Sequence, residues 1–183
     1  MKRLLACTGL LLAVVTLSAQ QPKAPPASPT ETETATIAGK TISIVYSSPG
    51  VKGREGQIFG KDGLIQKTHK SFPVWRAGAN SATTLKTDAD LKIGDLAVPA
   101  GTYTLFIDIS DADNWVLIVS KATGEWGLRY DPTQDLGRTK MKMTKPMAMV
   151  ENLKYTIAPL GGTTGKITLE WEDHSASVLV AVH

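Results

Sequence analysis

From about residue 34 to the C-terminus, apolar and polar positions alternate with a period of two, the pattern of half-buried strands rather than helices. In residues 41–46, Ile42, Ile44 and Tyr46 share one face and Ser43 lies on the other. Residues 34–37 precede that run across Ala38-Gly39-Lys40, so the two runs predict a hairpin around a glycine turn. A threonine-rich strand is predicted over 79–87, and strands at 91–93 and 96–98 enclose Gly94-Asp95 as a second tight turn. Pro99-Ala100-Gly101 then breaks the chain before 102–109. There the apolar residues run on without clean alternation, as in a strand covered on both faces. Residues 115–120, 125–130, 138–144, 150–158, 166–172 and 178–182 bring the total to about nine to eleven strands. Leu153, Tyr155 and Ile157 line one side of their strand, and Ile167, Leu169 and Trp171 do the same in theirs. No window carries a helical period, and only residues 132–137 predict a helical turn. Short strands separated by Gly and Pro turns predict an all-β fold, a two-sheet β-sandwich of jelly-roll-like character.

The first 34 residues do not share this pattern. Lys2 and Arg3 precede an apolar run over residues 4–17, followed by the small residues Ser18 and Ala19. This is the layout of a secretory signal peptide over 1–19. The run falls short of the about 20 apolar residues that a membrane span needs, so cleavage after Ala19 is expected rather than a retained anchor. Residues 20–34, QQPKAPPASPTETET, hold four prolines and no apolar period, and are predicted to form an extended tether. One domain is expected over 35–183, with no internal repeat. Its product is exported, to the periplasm or beyond.

Composition matters mainly through what the leader removes. The net charge of +3 counts Lys2 and Arg3, and without those two it is +1. A nearly neutral domain lacks the basic surface that nucleic acid requires, so no nucleic-acid partner is expected. The one cysteine, Cys7, also lies in the leader. The mature domain then has no disulfide, no thiol nucleophile and no thiolate metal site, and it depends on its apolar core.

Three ordered motifs carry a family likeness. Tyr46-Ser47-Ser48-Pro49-Gly50-Val51-Lys52-Gly53-Arg54 with Ile58-Phe59-Gly60 is the first, and Val74-Trp75-Arg76-Ala77-Gly78-Ala79-Asn80-Ser81-Ala82-Thr83 the second. The third is Pro99-Ala100-Gly101-Thr102-Tyr103-Thr104-Leu105-Phe106. Together they resemble domain-of-unknown-function family 2911, a group of exported bacterial proteins. The resemblance implies a secreted β-sandwich and brings no established activity or catalytic residues with it.

Candidate chemistry gathers in residues 48–70, a glycine-rich, basic connection that is long for a compact domain. Gly50, Gly53 and Gly56 would let successive backbone N–H groups turn toward one point, with Lys52 and Arg54 adding charge, and that combination cradles anions. Arg76 and Asn80 flank a glycine hinge; they offer a planar donor fork and an amide, and Trp75 or Trp126 would stack on a sugar face. The candidate ligand-binding set is therefore Lys52, Arg54, Trp75, Arg76, Asn80 and Trp126. Each residue also has a plain structural role open to it, as a loop cation, a strand-end tie or a core aromatic.

Other chemistries find less support. Asp108, Asp111, Asp113 and Asn114 lack the central glycine and closing glutamate of a calcium loop. His69, His174 and His183 are scattered, so neither a metal nor another cofactor is expected. No GxSxG elbow is present. Glu170 and Glu172 fall on one strand face and would serve glycoside hydrolysis only with another carboxyl across a cleft. The leading expectation is a non-catalytic module binding a small polar, anionic or carbohydrate ligand, or an envelope partner. A hydrolase of envelope or extracellular glycans using Asp or Glu, and a purely structural accessory domain, are the alternatives.

Overall fold

The computed structural model describes residues 27–124 and 126–183. Residues 1–26, which hold the expected signal peptide and most of the expected tether, and Glu125 lie outside the described residues.

Among the described residues thirteen strands form two antiparallel sheets that close on a shared apolar interior. The first sheet runs β1 (Thr30–Ile37), β2 (Lys40–Ser47), β4 (Thr83–Thr87), β7 (Gly101–Asp108), β8 (Val116–Ser120) and β9 (Asp135–Lys140), with the short β3 (Val74–Trp75) also paired to β7. The second runs β11 (Val150–Gly161), β12 (Thr164–Glu172), β13 (His174–Val182), β5 (Leu91–Ile93) and β6 (Leu96–Val98), with β10 (Lys142–Thr144) on β13. The all-β sandwich read from the sequence is the fold. Ile42, Ile44, Leu85, Leu105 and Leu117 face Leu153, Tyr155, Ile157, Ile167 and Leu169 across the interior, all of them buried. Period-two placement puts these residues on one face of each strand.

The predicted turns close as their residues require. Ile37 pairs with Lys40, leaving Ala38 and Gly39 as a two-residue loop with φ of 50° and 75°, the left-handed pair that a hairpin turn of this length needs. Ile93 pairs with Leu96 across Gly94-Asp95. In β7 every residue from Tyr103 to Ile107 is buried, and the reason is a second, smaller cluster on the outer face of the first sheet. There Val74, Ala82, Phe106 and Ile118 pack under Tyr130.

Several boundaries move. β1 reaches back to Thr30, so TETET, expected in the tether, instead pairs with residues 43–47 of β2. Its threonines suit a strand, and pairing along β2 satisfies a backbone that an isolated polar segment would leave to water. The strand expected over 125–130 is absent from 126–130. Gly127 takes φ of 79°, which no strand accommodates, and the segment folds over the outer face with Tyr130 packed on Phe106 at 5.1 Å between ring centroids. The strand expected from 79 starts at Thr83, because Ala77 and Asn80 adopt φ of 55° and 54° and turn the chain first. The helical turn within 132–137 is present over Pro132–Gln134, capped by the Asp131 carboxylate on the Thr133 N–H.

The long connection from 48 to 70 is not structureless. Val51, Ile58 and Ile65 are buried anchors along it, and it carries α1 (Leu64–Thr68), a five-residue helix that the sequence pattern missed. One turn is too short for a helical period to register. Its first donors are satisfied by the loop itself: Leu64 N–H donates to Gln57 O at 2.8 Å and Ile65 N–H to Ile58 O at 3.1 Å.

Candidate functional site

Lys52, Arg54 and the Gly56 N–H of the glycine loop already have partners within the protein. The Lys52 N–H donates to Glu151 Oε1 at 2.9 Å, and the Gly56 N–H to Glu172 Oε1. The backbone cradle expected for an external anion is thus occupied by the protein's own carboxylates. Arg54 donates through Nε to Val51 O at 2.8 Å and through Nη2 to Gly50 O at 2.7 Å, bracing its own turn. Lys52 Nζ donates to Ala27 O at 3.1 Å, and Asn80 Nδ2 to Ser28 O at 3.3 Å. These two side chains strap the start of the domain across the loop.

Arg76 is the exception. Among the described residues its buried Nε and Nη1 have no hydrogen-bond partner, and no carboxylate pairs with it. Burial lowers the pKa of its guanidinium, and nothing offsets that effect. The side chain comes off the end of β3 and lines a cavity of about 300 Å³. Two other residues lining this cavity carry buried nitrogens without partners, His69 at Nε2 and Trp171 at Nε1. A buried donor or acceptor left unpaired costs about 1–3 kcal/mol, so three such residues around one cavity is unusual for a purely structural interior.

His69 reaches the cavity from the C-terminal end of α1. Its N–H caps the helix on Ile65 O at 2.9 Å. Ring atom Nδ1 lies 3.2 Å from Ile65 O and 3.0 Å from Thr68 Oγ1. The Thr68 hydroxyl itself donates to Leu64 O at 2.7 Å, so it accepts from the ring, as Ile65 O must. Nδ1 therefore carries the proton and Nε2 presents a bare lone pair. Burial first, and the Arg76 charge second, lower the His69 pKa from 6.5 to about 4, so the ring is neutral near pH 7.

Trp75 and Trp171 form the cavity's aromatic wall, stacked at 5.9 Å with an interplanar angle of 22°. The Trp75 indole N–H donates to Gly78 O at 3.0 Å, and Phe59 and Trp115 pack behind the pair. Of the six residues singled out from sequence, Lys52, Arg54, Trp75 and Arg76 line this cavity. Asn80 and Trp126 do not. Asn80 holds the strap, and Trp126 is 62% exposed. Its neighbour Gly127 packs against the aliphatic part of Arg76, where an added Cβ would lie 2.6 Å from Cδ. The sequence reading missed His69 and Trp171: one was weighed only as a metal ligand, and the other is an ordinary inward residue of its strand.

The carboxylates considered for hydrolysis are engaged elsewhere. Glu170 pairs with Lys154 at 3.0 Å. Glu172 sits in the hairpin turn with φ of 57°, buried beside Trp171, whereas Glu170 is half-buried. Glu172, Asp173 and His174 bring ligand atoms within 4.8 Å of one another. Here Glu172 accepts from Gly56, and Asp173 Oδ1 lies 2.6 Å from His174 Nδ1 without completing a hydrogen bond to it, so the Glu172 carboxylate is committed within the protein. Asp111 accepts from Asp113 N–H and Asn114 Nδ2, both at 2.9 Å, as an ordinary turn.

These features define a β-sandwich with one small, partly aromatic cavity at the end of its core, furnished with an unpaired arginine. The chain belongs to the family described as protein of unknown function (DUF2911), whose pattern matches residues 28–180. Neither the curated proteins nor the solved structures contain a match to it.

Proposed function

We propose that this domain is an exported, non-catalytic binding module that holds a small organic anion in the cavity beside Arg76. The observation that carries the reading is the half-buried guanidinium of Arg76, which has no carboxylate partner among the described residues. A charge drawn partly out of water is stabilised when an opposite charge is brought beside it. An entering carboxylate would supply the missing charge and accept along one edge of the guanidinium, from Nη2 together with Nε or Nη1, the bidentate geometry for which arginine is suited. The aromatic wall supports a ligand with a carbon skeleton over a bare inorganic ion, since flat apolar faces pack against carbon. A cavity of about 300 Å³ is at the small end of ligand sites. Export is supported by the leader-like residues 1–19.

The test is a thermal-shift and calorimetric screen of small carboxylates, sugar acids, phosphate and sulfate at constant pH and ionic strength. Carboxylates are expected to raise the melting temperature of the wild type and to leave Arg76→Gln unmoved, with the circular dichroism spectrum unchanged. If no anion binds the wild type, or if Arg76→Gln responds as the wild type does, the reading falls. An Arg76→Gln variant that unfolds would make Arg76 a strand tie; the wild-type screen then decides alone.

A further inference from the structure

A groove of about 490 Å³ lies on the outer face of the second sheet, lined by Lys140, Lys142 and Lys166, all three of them exposed. It shares no residue with the Arg76 cavity. No carboxylate lines it, and among the described residues none pairs with any of the three lysines. The acids on the adjoining strands and turns are engaged or face elsewhere. Glu170 pairs with Lys154 at 3.0 Å and Asp173 with Lys145 at 3.8 Å, while Asp95 lines a different hollow beside Lys92. We infer that this groove binds an acidic polysaccharide, a chain of uronate sugars, at a site separate from the Arg76 cavity.

The strand register sets the spacing of the charges. Lys142 on β10 stands opposite Ser177 of β13, and Lys166 on β12 stands opposite Leu179 on the other side of the same strand. Their backbones are therefore two strand spacings apart across the sheet, roughly 10 Å. Cations set apart in this way suit carboxylates repeated along a chain better than one compact ion. Between them Thr168, Ser175 and Ser177 line the groove, and hydroxyls both donate and accept, as those of a sugar do. Leu179, 56% exposed, offers an apolar contact to the C–H face of a sugar ring. Two other polyanions fit less well. No aromatic side chain lines the groove, so the bases of a nucleic acid find nothing to stack on. Leu179 is its one exposed large apolar side chain, too little to anchor a membrane surface.

The experiment titrates the purified protein calorimetrically with tetragalacturonate and with its methyl ester, which keeps the sugar chain and lacks the charges. The acid is expected to bind about tenfold or more tightly than the ester, and less tightly as salt is added. The double variant Lys142→Gln/Lys166→Gln should weaken binding of the acid about tenfold, the loss of two exposed ion pairs, with its circular dichroism spectrum unchanged. Arg76→Gln should bind the acid as wild type does. Equal affinity for acid and ester, or binding of neither, would overturn the inference. Binding of the acid that survives the double substitution would overturn it too, and its loss in Arg76→Gln instead would assign the ligand to the cavity. Phosphatidylglycerol vesicles or single-stranded DNA bound more tightly than tetragalacturonate through the same lysines would also overturn it, by making the partner a membrane or a nucleic acid. If the double variant fails to fold, the single variants Lys142→Gln and Lys166→Gln, each expected to lose about threefold, decide the matter.

Discussion

The Tyr155 hydroxyl, on β11, donates to the carbonyl of Ala77 at 3.1 Å across the interior of the sandwich. Thr83 Oγ1 donates to the same oxygen at 2.9 Å. Ala77 follows Arg76 directly and holds φ of 55°, a left-handed conformation that a residue with a Cβ adopts only when its surroundings impose it. Two donors on one carbonyl impose it here, and they fix the backbone from which Arg76 enters the cavity. Tyr155 is buried, and burial raises its pKa, so the hydroxyl remains a donor.

Tyr155→Phe should therefore cost about 1 kcal/mol of stability, because Thr83 retains the second bond. It should also weaken anion binding by loosening the Ala77 turn. Urea unfolding and titration of the same variant measure both effects. A variant that loses stability and binds as tightly as wild type would separate Tyr155 from the positioning of Arg76.

The His69 ring makes stability depend on pH with a definite sign. Its folded pKa of about 4 lies below the unfolded 6.5, so the unfolded chain binds more protons between those values. Its contribution is fully present above pH 6.5 and is lost progressively as the pH falls toward 4. Wild type should lose more stability than His69→Gln across that window, in denaturant melts at matched ionic strength. Parallel curves would mean that the ring titrates normally.

Gly127→Ala should disturb Arg76 from behind. The added Cβ would meet Arg76 Cδ at 2.6 Å and Ala82 N at 3.0 Å, at a backbone φ of 79°. The left-handed conformation and the overlap together should cost about 2 kcal/mol or more. Affinity for carboxylates should fall with it, whereas Gly124→Ala, with open space at its Cβ position, should leave binding unaltered. Thermal melts and titration of the two variants make the comparison.

Expressed from its full sequence in a secreting host, the protein should be recovered from the envelope fraction with an N-terminus near Gln20. N-terminal sequencing and intact mass check this. An intact Met1, or a lipid on Cys7, would contradict the leader reading. The processed protein, lacking cysteine, should melt at the same temperature with and without dithiothreitol.

The strands were legible because side-chain period is a local property. Ile42-Ser43-Ile44 and Ile167-Thr168-Leu169 state which face is buried without reference to any partner, and Ala38-Gly39 states where the hairpin turns. Strand ends were less legible, since they depend on what lies alongside: TETET becomes strand only because residues 43–47 offer it a ladder. The five-residue α1 carried too few residues for a period. Residues 126–130 looked like a strand from composition, and Gly127 alone warned that the backbone would turn away.

The cavity shows the same division. From the residues themselves came a fold class, an arginine in a glycine-hinged turn and a tryptophan beside it. Tertiary structure decided which candidate cations are spent, and that Arg76 has no carboxylate partner among the described residues. Glu151 and Glu172 arrive from β11 and the β12 hairpin to occupy the N–H groups of the glycine loop, and Ala27 and Ser28 take Lys52 and Asn80. His69 and Trp171, about a hundred residues apart in sequence, meet at Arg76 only when the sheets close. Hydrogen-bond satisfaction and burial depend on partners distant along the chain, so a sequence can supply the donors while only the packed molecule determines which of them remain unpaired.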